Sequence, residues 1–199
     1  NNSVGGIVGY TAQTISNCYN KGTIRATTSD AGGIAGTIYA GSDRKIYQCY
    51  NNGIIEGPMR IGGILGRIYS SNYLTVEQCY NLKDVKGNTY IAGIVGNIDG
   101  TYAKILNCYN MGDISGTQIA GIARGNGKID TAKVVSCYNI GNLDATNKYG
   151  ILYKYGNYGV TYNSYCLDTC GATDTIATSK SSTELKTLAS TLDKTFTID

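Results

Sequence analysis

The sequence predicts an all-β protein built as a parallel β-solenoid of about six coils, with a C-terminal capping helix. Three observations lead to this fold. A motif returns every 29 to 31 residues, each position of the repeat keeps its chemical type, and short apolar runs are broken every few residues by glycine or asparagine. Repeats of this length are typical of solenoids, in which each unit buries its apolar face only against its neighbours.

The first repeated motif is a cysteine, a tyrosine and an asparagine. Its five copies are NCYNKGTI (17–24), QCYNNGII (48–55), QCYNLKDV (78–85), NCYNMGDI (107–114) and SCYNIGNL (136–143). The residues three positions before and six positions after each cysteine are aliphatic, which favours short strands. Glycine follows four positions after the cysteine in four copies and predicts a turn. Lys83 replaces this glycine in the third copy, where we expect a different turn.

A second block follows about 15 residues after each cysteine and keeps the same period. Its copies are GGIVG (5–9), GGIAG (32–36), GGILG (62–66), AGIVG (92–96), AGIAR (120–124) and a degenerate YGILY (149–153). These blocks divide a solenoid of residues 1–175 into units near 5–31, 32–61, 62–91, 92–119, 120–148 and 149–175. Stacked coils would lie about 4.8 Å apart. A β-propeller is the alternative, although its blades are usually longer than this repeat.

Stacking explains why the motif residues recur. The spacing gives no cysteine of the motif a second sulfur nearby, and the chain has no histidine, so neither zinc ligation nor a disulfide framework fits. Unpaired cysteine behaves as a small buried hydrophobe, so we expect an inward column of free thiols; exposed reactive thiols are the alternative. The column comprises Cys18, Cys49, Cys79, Cys108 and Cys137.

The asparagines and tyrosines of the motif are predicted to form columns of their own. Each asparagine amide can bond the backbone of its turn and the amide of the next coil. This column comprises Asn20, Asn51, Asn81, Asn110 and Asn139. The tyrosines between them are expected to face the other way and to stack ring upon ring.

Together, GGIVG and the later ISNCYNKGTI resemble the GLUG repeat, over roughly residues 1–170. GLUG repeats occur in tandem in large exported or surface-attached bacterial proteins, including some immunoglobulin A peptidases. The resemblance implies an extracellular or cell-surface location and a stalk, adhesion or ligand-presenting role, without catalytic residues. Lys83, Arg124 in place of the last glycine of its block, and the degenerate sixth unit depart from the pattern.

The C-terminal part has a different character. In NSYCLDTC (163–170), an altered copy of the first motif, Cys166 and Cys170 are close enough in sequence for a local disulfide, and two free thiols are the alternative state. Residues 181–199 follow as a predicted cap. Ser182 or Thr183 is the expected N-cap of an amphipathic helix with Leu185, Leu188, Ala189 and Leu192 on its apolar face.

Composition limits the partners. The net charge is only +3, and the basic residues form no run, so we expect no nucleic-acid binding beyond a shallow basic strip. No stretch is apolar over 18 residues, so no membrane insertion is expected of these residues. Because the chain starts inside a repeat, we expect a fragment of a longer exported protein whose neighbouring domains, signal and anchor lie elsewhere.

An enzyme is not expected, and neither is a cofactor or a bound metal. No column repeats a pair of carboxylates, and histidine for acid and base chemistry is absent. A polysaccharide-active β-helix enzyme is the alternative, and it would depend on an unrepeated pair such as Asp99 and Asp130, whose spacing could place them on neighbouring coils.

Two functions remain, a passive stalk and a binding module for a host glycan or surface protein. Tyrosine distinguishes them, because its ring holds sugar and protein ligands at small entropic cost. Thirteen of the 18 tyrosines lie outside the repeated motif. The predicted ligand-binding residues are Tyr39, Tyr69, Tyr73, Tyr155 and Tyr158.

Overall fold

The computed structural model describes residues 3–39, 43–69, 73–99, 102–125, 133–154, 159–174 and 176–191, with side chains up to residue 187 in the final segment. It confirms the parallel β-solenoid and the single short helix near the C-terminus. The chain makes about five turns between the first and last strands of its six-stranded sheets.

The strands are short, as the frequent glycines and asparagines predict. The first half contains β1 (Val4–Gly5), β2 (Val8–Thr11), β3 (Ile15–Ser16), β4 (Tyr19–Asn20), β5 (Ile24–Arg25), β6 (Ala31–Gly32), β7 (Ala35–Tyr39), β8 (Arg44–Tyr47), β9 (Tyr50–Asn51), β10 (Ile55–Gly62), β11 (Leu65–Tyr69), β12 (Leu74–Glu77), β13 (Tyr80–Asn81) and β14 (Val85–Ala92).

The second half repeats this order with shorter elements. It contains β15 (Val95–Ile98), β16 (Ala103–Leu106), β17 (Tyr109–Asn110), β18 (Ile114–Ser115), β19 (Gln118–Ala120), β20 (Ala123–Gly125), β21 (Lys133–Val135), β22 (Tyr138–Asn139), β23 (Leu143–Asp144), β24 (Asn147–Tyr149), β25 (Leu152–Tyr153), β26 (Val160–Tyr162), β27 (Tyr165–Leu167), β28 (Thr178–Lys180) and the helix α1 (Ser182–Thr191).

Four parallel sheets form the walls of the solenoid. Sheet A contains β1, β5, β6, β10, β14, β18, β19, β23 and β24; sheet B contains β2, β7, β11, β15, β20 and β25. Sheet C contains β3, β8, β12, β16, β21 and β26; sheet D contains β4, β9, β13, β17, β22, β27 and β28. The registers align like residues of successive coils, for example Tyr50 with Tyr80 and Ile46 with Val76. Each column of the sequence is therefore a column in space.

The core is a stack of aliphatic side chains inside the four sheets. The isoleucine of the second block is fully buried from the second coil onward, at Ile34, Ile64, Ile94, Ile122 and Ile151. Its first copy, Ile7, is 48% exposed, because no coil of the described chain lies on its outer side. A thin core of this kind depends on neighbouring coils for its burial.

The corner between sheets C and D depends on one backbone conformation. The residue before each motif cysteine has a positive φ of 51° to 54°, at Asn17, Gln48, Gln78, Asn107 and Ser136. Asn163 repeats it at 45° in the last coil. Asparagine tolerates the left-handed region better than most residues, and a single such residue is enough to turn the chain.

The turn at Lys83 does not differ from its neighbours, so that expectation was wrong. The Asn81 amide donates to the Lys83 carbonyl at 2.6 Å, as Asn51 does to Gly53. No positive φ occurs at this position in any copy, so the turn does not require glycine for its backbone angles.

Helix α1 begins one residue earlier than expected. Ser181, rather than Ser182 or Thr183, is the N-cap: its Oγ accepts a hydrogen bond from the Glu184 amide at 3.3 Å, and Glu184 Oε2 accepts one from the Ser181 amide at 2.8 Å. This reciprocal arrangement is a capping box. Leu185 lies beside a cavity that Tyr138 and Leu167 of sheet D also line. The side chains of Leu188, Ala189 and Leu192 lie outside the described residues.

Candidate functional site

The motif cysteines occupy an inward column, just after the corner residues. Cys49, Cys79, Cys108 and Cys137 are buried free thiols, and each donates a weak hydrogen bond to the carbonyl two residues earlier. Cys18 is an exception to the predicted burial: it is only half-buried, because its outer side lacks a covering coil among the described residues. A small apolar side chain with a weak donor suits this corner.

The asparagines form a continuous chain of hydrogen bonds along the solenoid. Each Nδ2 donates to the Oδ1 of the next asparagine at 2.7 Å, from Asn20 through Asn51, Asn81 and Asn110 to Asn139. Each Nδ2 also donates to the carbonyl two residues later, at 2.6 to 3.0 Å. These bonds satisfy amides that are fully buried from the second coil onward.

The second block packs directly against these asparagines. A Cβ added to Gly63 would lie 2.1 Å from the Gly93 carbonyl oxygen and 2.5 Å from Asn81 Cγ. Gly33 and Gly93 face Asn51 and Asn110 with similarly short distances. The two repeated motifs are therefore two halves of one contact across the interior, and glycine is required there for close approach.

The motif tyrosines stack along the outside of sheet D. Successive ring centroids from Tyr19 to Tyr138 lie 4.9 to 5.2 Å apart and are parallel within 11°. Exposure falls from 54% at Tyr19 to 2% at Tyr109. The first ring stacks on Tyr50 and has the Lys21 ammonium over it at 5.1 Å, whereas the inner rings form part of the wall.

In the last coil, different residues occupy two of the motif positions. Tyr165 pairs with Tyr138 and Cys166 with Asn139, so Ser164 takes the place of the cysteine and Cys166 that of the asparagine. Ser164 Oγ accepts a hydrogen bond from the Cys137 amide at 3.2 Å. In the coil before, Cys137 Sγ accepts one from the Cys108 amide at 3.4 Å. Cys166 and Cys170 are both buried, their side chains contact each other, and they form no disulfide in this structure; the state of the pair stays a prediction.

A polar cleft lies where sheets A and B meet, in columns that do not repeat. It has a volume of about 520 Å³. Its lining residues are polar or aromatic: Ser3, Tyr10, Ser29, Asp30, Thr37, Arg60, Arg67 and Tyr69. Tyr10, Thr37 and Arg67 pair across β2, β7 and β11, so three unlike residues share one column. This cleft is the candidate functional site.

The charged groups of the cleft are held by one another. Asp30 is only 4% exposed; it accepts hydrogen bonds from Arg60 Nε and, at 2.7 Å, from Thr37 Oγ1. Arg67 Nε donates to Asp99 Oδ2 at 2.5 Å, and one of its terminal nitrogens lies 3.9 Å from Asp30. Paired charges of this kind keep a fixed orientation and can still bond a ligand with their remaining donors and acceptors.

The network continues beyond the cleft to Arg124. This guanidinium is 2% exposed; it donates to Asn97 Oδ1 at 2.6 Å and lies over the ring of Tyr90 at 3.6 Å. Burial lowers the pKa of Arg124, and the neighbouring Tyr90 and Asp99 oppose that shift. The departure of Arg124 from the glycine pattern thus supplies a cation to the polar network, next to a register shift between β15 and β20.

One predicted tyrosine, Tyr69, lines this cleft, and a second, Tyr39, lies beside it on the neighbouring strand. Tyr39 and Tyr69 are 42% and 46% exposed, with ring centroids 5.9 Å apart, and the Arg67 guanidinium lies 4.4 Å from the Tyr69 centroid. Tyr73 does not line this cleft, and its ring stacks on that of Tyr102. Tyr155 and Tyr158 lie outside the described residues.

The sequence did not point to Asp30, Arg60 or Thr37 as site residues. The signal that could have found part of the site is the position after the second block, which is Tyr10, Thr37, Arg67 and Asn97 in successive coils. Of the carboxylates considered for an enzyme, Asp99 is paired with Arg67, and Asp130 lies outside the described residues. No cluster of three or more cysteines and carboxylates suited to a metal ion occurs among the described residues.

The fold and its columns define a β-solenoid repeat protein. The family model for the GLUG motif matches residues 1–25, which confirms the resemblance there and is consistent with a GLUG-repeat protein. No curated protein and no solved structure matches the chain. No helix in the described residues is long and apolar enough to span a membrane.

Proposed function

We propose that this chain is a non-catalytic repeat region of a bacterial cell-surface or secreted protein, and that it acts in adhesion by binding a host glycan or surface protein. The cleft between sheets A and B carries this proposal. It combines the exposed rings of Tyr10 and Tyr69, with Tyr39 next to Tyr69, with charged side chains that are fixed by ion pairs. Aromatic faces together with oriented polar groups are the usual means of holding a sugar or a protein loop.

The stiffness of the solenoid favours the same function. Stacked sheets and a continuous asparagine column keep the cleft residues in place, so that little side-chain entropy is lost when a ligand binds. A passive stalk would need the columns but would not need the unrepeated cluster of Asp30, Arg60 and Arg67. A catalytic role would require a free acid or base, whereas Asp30 and Asp99 are both engaged with arginines.

A double substitution tests the proposal. Tyr39→Ser with Tyr69→Ser removes one ring that lines the cleft and the ring beside it, and Tyr19→Ser with Tyr162→Ser removes two exposed rings elsewhere. Binding is measured on a glycan array and by attachment of labelled protein to epithelial cells. We expect the first variant to lose at least about tenfold in binding at unchanged circular dichroism, and the control to keep it. Equal binding by both variants would show that the cleft is not the binding site, and no binding by the wild type would leave the stalk as the function.

A further inference from the structure

Sheet C carries a basic strip that the sequence does not show as a run. Lys45 pairs with Thr75, Thr75 with Lys104, and Lys104 with Lys133, so these four side chains form one column on the outer face. All three lysines are exposed. With about 4.8 Å between strands, the ammonium groups recur along the solenoid axis at one or two strand spacings.

A second cleft lies over this strip. Its volume is about 300 Å³, and its lining residues are Asp43, Arg44, Lys45, Tyr73, Leu74, Thr75, Tyr102, Lys104 and Lys133. Four of them are cations, and Asp43 is the single carboxylate among them. Lys45 Nζ also lies 3.9 Å from Glu77 Oε2, a contact that leaves its side chain 53% exposed. With Asp43 and Glu77 beside four cations, the cleft keeps a net positive charge within the described chain.

Arg44 adds a partly buried donor. It pairs in register with Leu74, which in turn pairs with Ala103, and both of these residues are buried in the core. The Nε of Arg44 is buried and lacks a hydrogen-bond partner in the described structure. A buried N–H without an acceptor is costly, and an anionic oxygen in the cleft would supply one.

Two stacked tyrosines form the aromatic part of the cleft. Tyr73 and Tyr102 have centroids 4.7 Å apart and an interplanar angle of 20°, and they are 51% and 40% exposed. Their hydroxyls and ring edges are available to a ligand that lies along the strip. The predicted ligand role of Tyr73 thus has a structural context that is separate from the cleft of Tyr39 and Tyr69.

We infer that this strip binds an anionic polysaccharide, with its sulfate or carboxylate groups along the lysine column and its sugar rings against Tyr73 and Tyr102. The match is one of charge and geometry, because both the polymer and the solenoid repeat along one axis. Lysine is a compact charge with three donors on a flexible stem, so it can follow anionic groups of variable position.

The same features disfavour a nucleic acid. Tyr73 and Tyr102 already stack on each other at 4.7 Å, which leaves no space for a base between them. Four cations are also few compared with the roughly 6–10 phosphate contacts of many nucleic-acid-binding proteins. A polysaccharide needs neither base stacking nor a continuous basic groove.

The test compares two variants with the same change in net charge. Lys45, Lys104 and Lys133 are replaced by glutamine in the strip variant, and Lys21, Lys83 and Lys86, which are exposed outside sheet C, in the control. The probes are a size-defined heparin oligosaccharide, oligogalacturonate, neutral dextran and single-stranded DNA. Affinity is measured by calorimetry at several salt concentrations, with circular dichroism as a check on folding.

We expect the wild type to bind the heparin oligosaccharide or oligogalacturonate, and dextran not at all. The strip variant should lose at least about tenfold in affinity with a shallower salt dependence, because fewer counterions are released. The control, and a strip variant with arginine at the three positions, should bind like the wild type. The Tyr39→Ser, Tyr69→Ser variant should also bind these probes normally, so failure of the proposed function would leave this result unaffected.

Four results would overturn the inference. The first is that the wild type binds neither anionic oligosaccharide. The second and third are an equal loss of affinity in the strip variant and the lysine control, and an unchanged affinity in the strip variant. The fourth is that single-stranded DNA binds more tightly than the glycans and that the strip variant loses this binding. The last result would assign the strip to a nucleic acid. If the triple glutamine substitution disturbs the fold, the single variants Lys45→Gln, Lys104→Gln and Lys133→Gln decide the outcome, because each should weaken binding whereas Lys21→Gln, Lys83→Gln and Lys86→Gln should not.

Discussion

At the scale of single residues, the repeated asparagine performs several functions in every coil. The Asn51 amide donates to the Gly53 carbonyl and to Asn81, and its carbonyl oxygen accepts from Asn20 and from the Gly53 amide. All four hydrogen bonds lie in a buried environment, where an unpaired polar group would be costly. The recurrence of asparagine in five successive coils follows from this geometry.

Replacing an inner asparagine should cost more stability than replacing the first one. Asn81→Ala leaves both Asn51 and Asn110 with a lost partner, and we expect it to lower the free energy of unfolding by about 2–4 kcal/mol. Asn20→Ala removes a partner from Asn51 alone and should cost about 1 kcal/mol. Urea unfolding followed by circular dichroism measures both. Equal losses would contradict a buried chain of amides.

The motif tyrosines and cysteines show the effect of position within a column. Tyr109 is buried and Tyr19 is exposed, although both occupy the same place in the repeat. Burial raises the pKa of Tyr109, with the neighbouring Tyr138 and Tyr80 adding to the shift. Cys18 is half-buried for the same reason that Tyr19 is exposed, so the coil at the end of a stack has different chemistry from identical residues inside it.

At the scale of elements, the sequence predicted the strands well because their side chains repeat. Identical columns of isoleucine, cysteine and asparagine can form only if coils stack in register, and the period specifies that register. The contact between Gly63 and Asn81 was not predicted, because two motifs half a unit apart give no sign in sequence that they face each other. The helix start was predicted one residue late, since Ser181 and Ser182 are equally good caps by type.

The candidate site was less accessible to prediction. Asp30 and Arg60 share one column, directly before the paired residues Ala31 and Ile61, and Arg67 lies in another; the residue type changes along both columns, so the repeat pattern did not mark them. Lys45, Lys104 and Lys133 are similarly far apart in sequence, so a search for runs of charge did not reveal them. Tyr39 and Tyr69 were predicted because tyrosines gather after the second block, in segments whose length varies between coils.

At the scale of the whole molecule, the solenoid is a series of similar layers with a distinct C-terminal end. Inside the solenoid, the next coil supplies the acceptor for each such amide, as the Tyr149 carbonyl does for the Gly121 amide. At the C-terminal end, the Asp174 carboxylate takes this place and accepts a hydrogen bond from the Gly150 amide at 2.5 Å. Asp174 also accepts the amides of Ile176 and Ala177. A single carboxylate thus ends one backbone column without leaving a buried donor unpaired.

The buried cysteine column makes the free energy of unfolding depend on pH in the alkaline range. The neighbouring Cys79 thiol and burial raise the pKa of Cys49 above its ordinary value of 9.0, and burial raises those of Cys79 and Cys108. Above pH 9.0 the unfolded chain releases these protons while the folded chain keeps them, so the fold becomes less stable as pH rises. The expected loss is about 1.4 kcal/mol per pH unit for each thiol.

Urea unfolding at pH values just below 9.0 and about one unit above it measures this slope. The variant with alanine at Cys49, Cys79 and Cys108 is the comparison, and its slope rather than its absolute stability is the informative quantity. A shallower slope in the variant is expected. The same slope in both proteins would show that the thiols ionise as freely in the folded chain as in the unfolded one.

The central claim is that the repeated motif builds the interior of the solenoid, and cysteine labelling tests it most directly. Maleimide is applied to the native and then to the denatured protein at neutral pH, and the labelled peptides are identified by mass spectrometry. We expect Cys18 to be labelled first under native conditions, and Cys49, Cys79, Cys108 and Cys137 only after denaturation, because these four are fully buried. Rapid native labelling of two or more of these four would contradict the account.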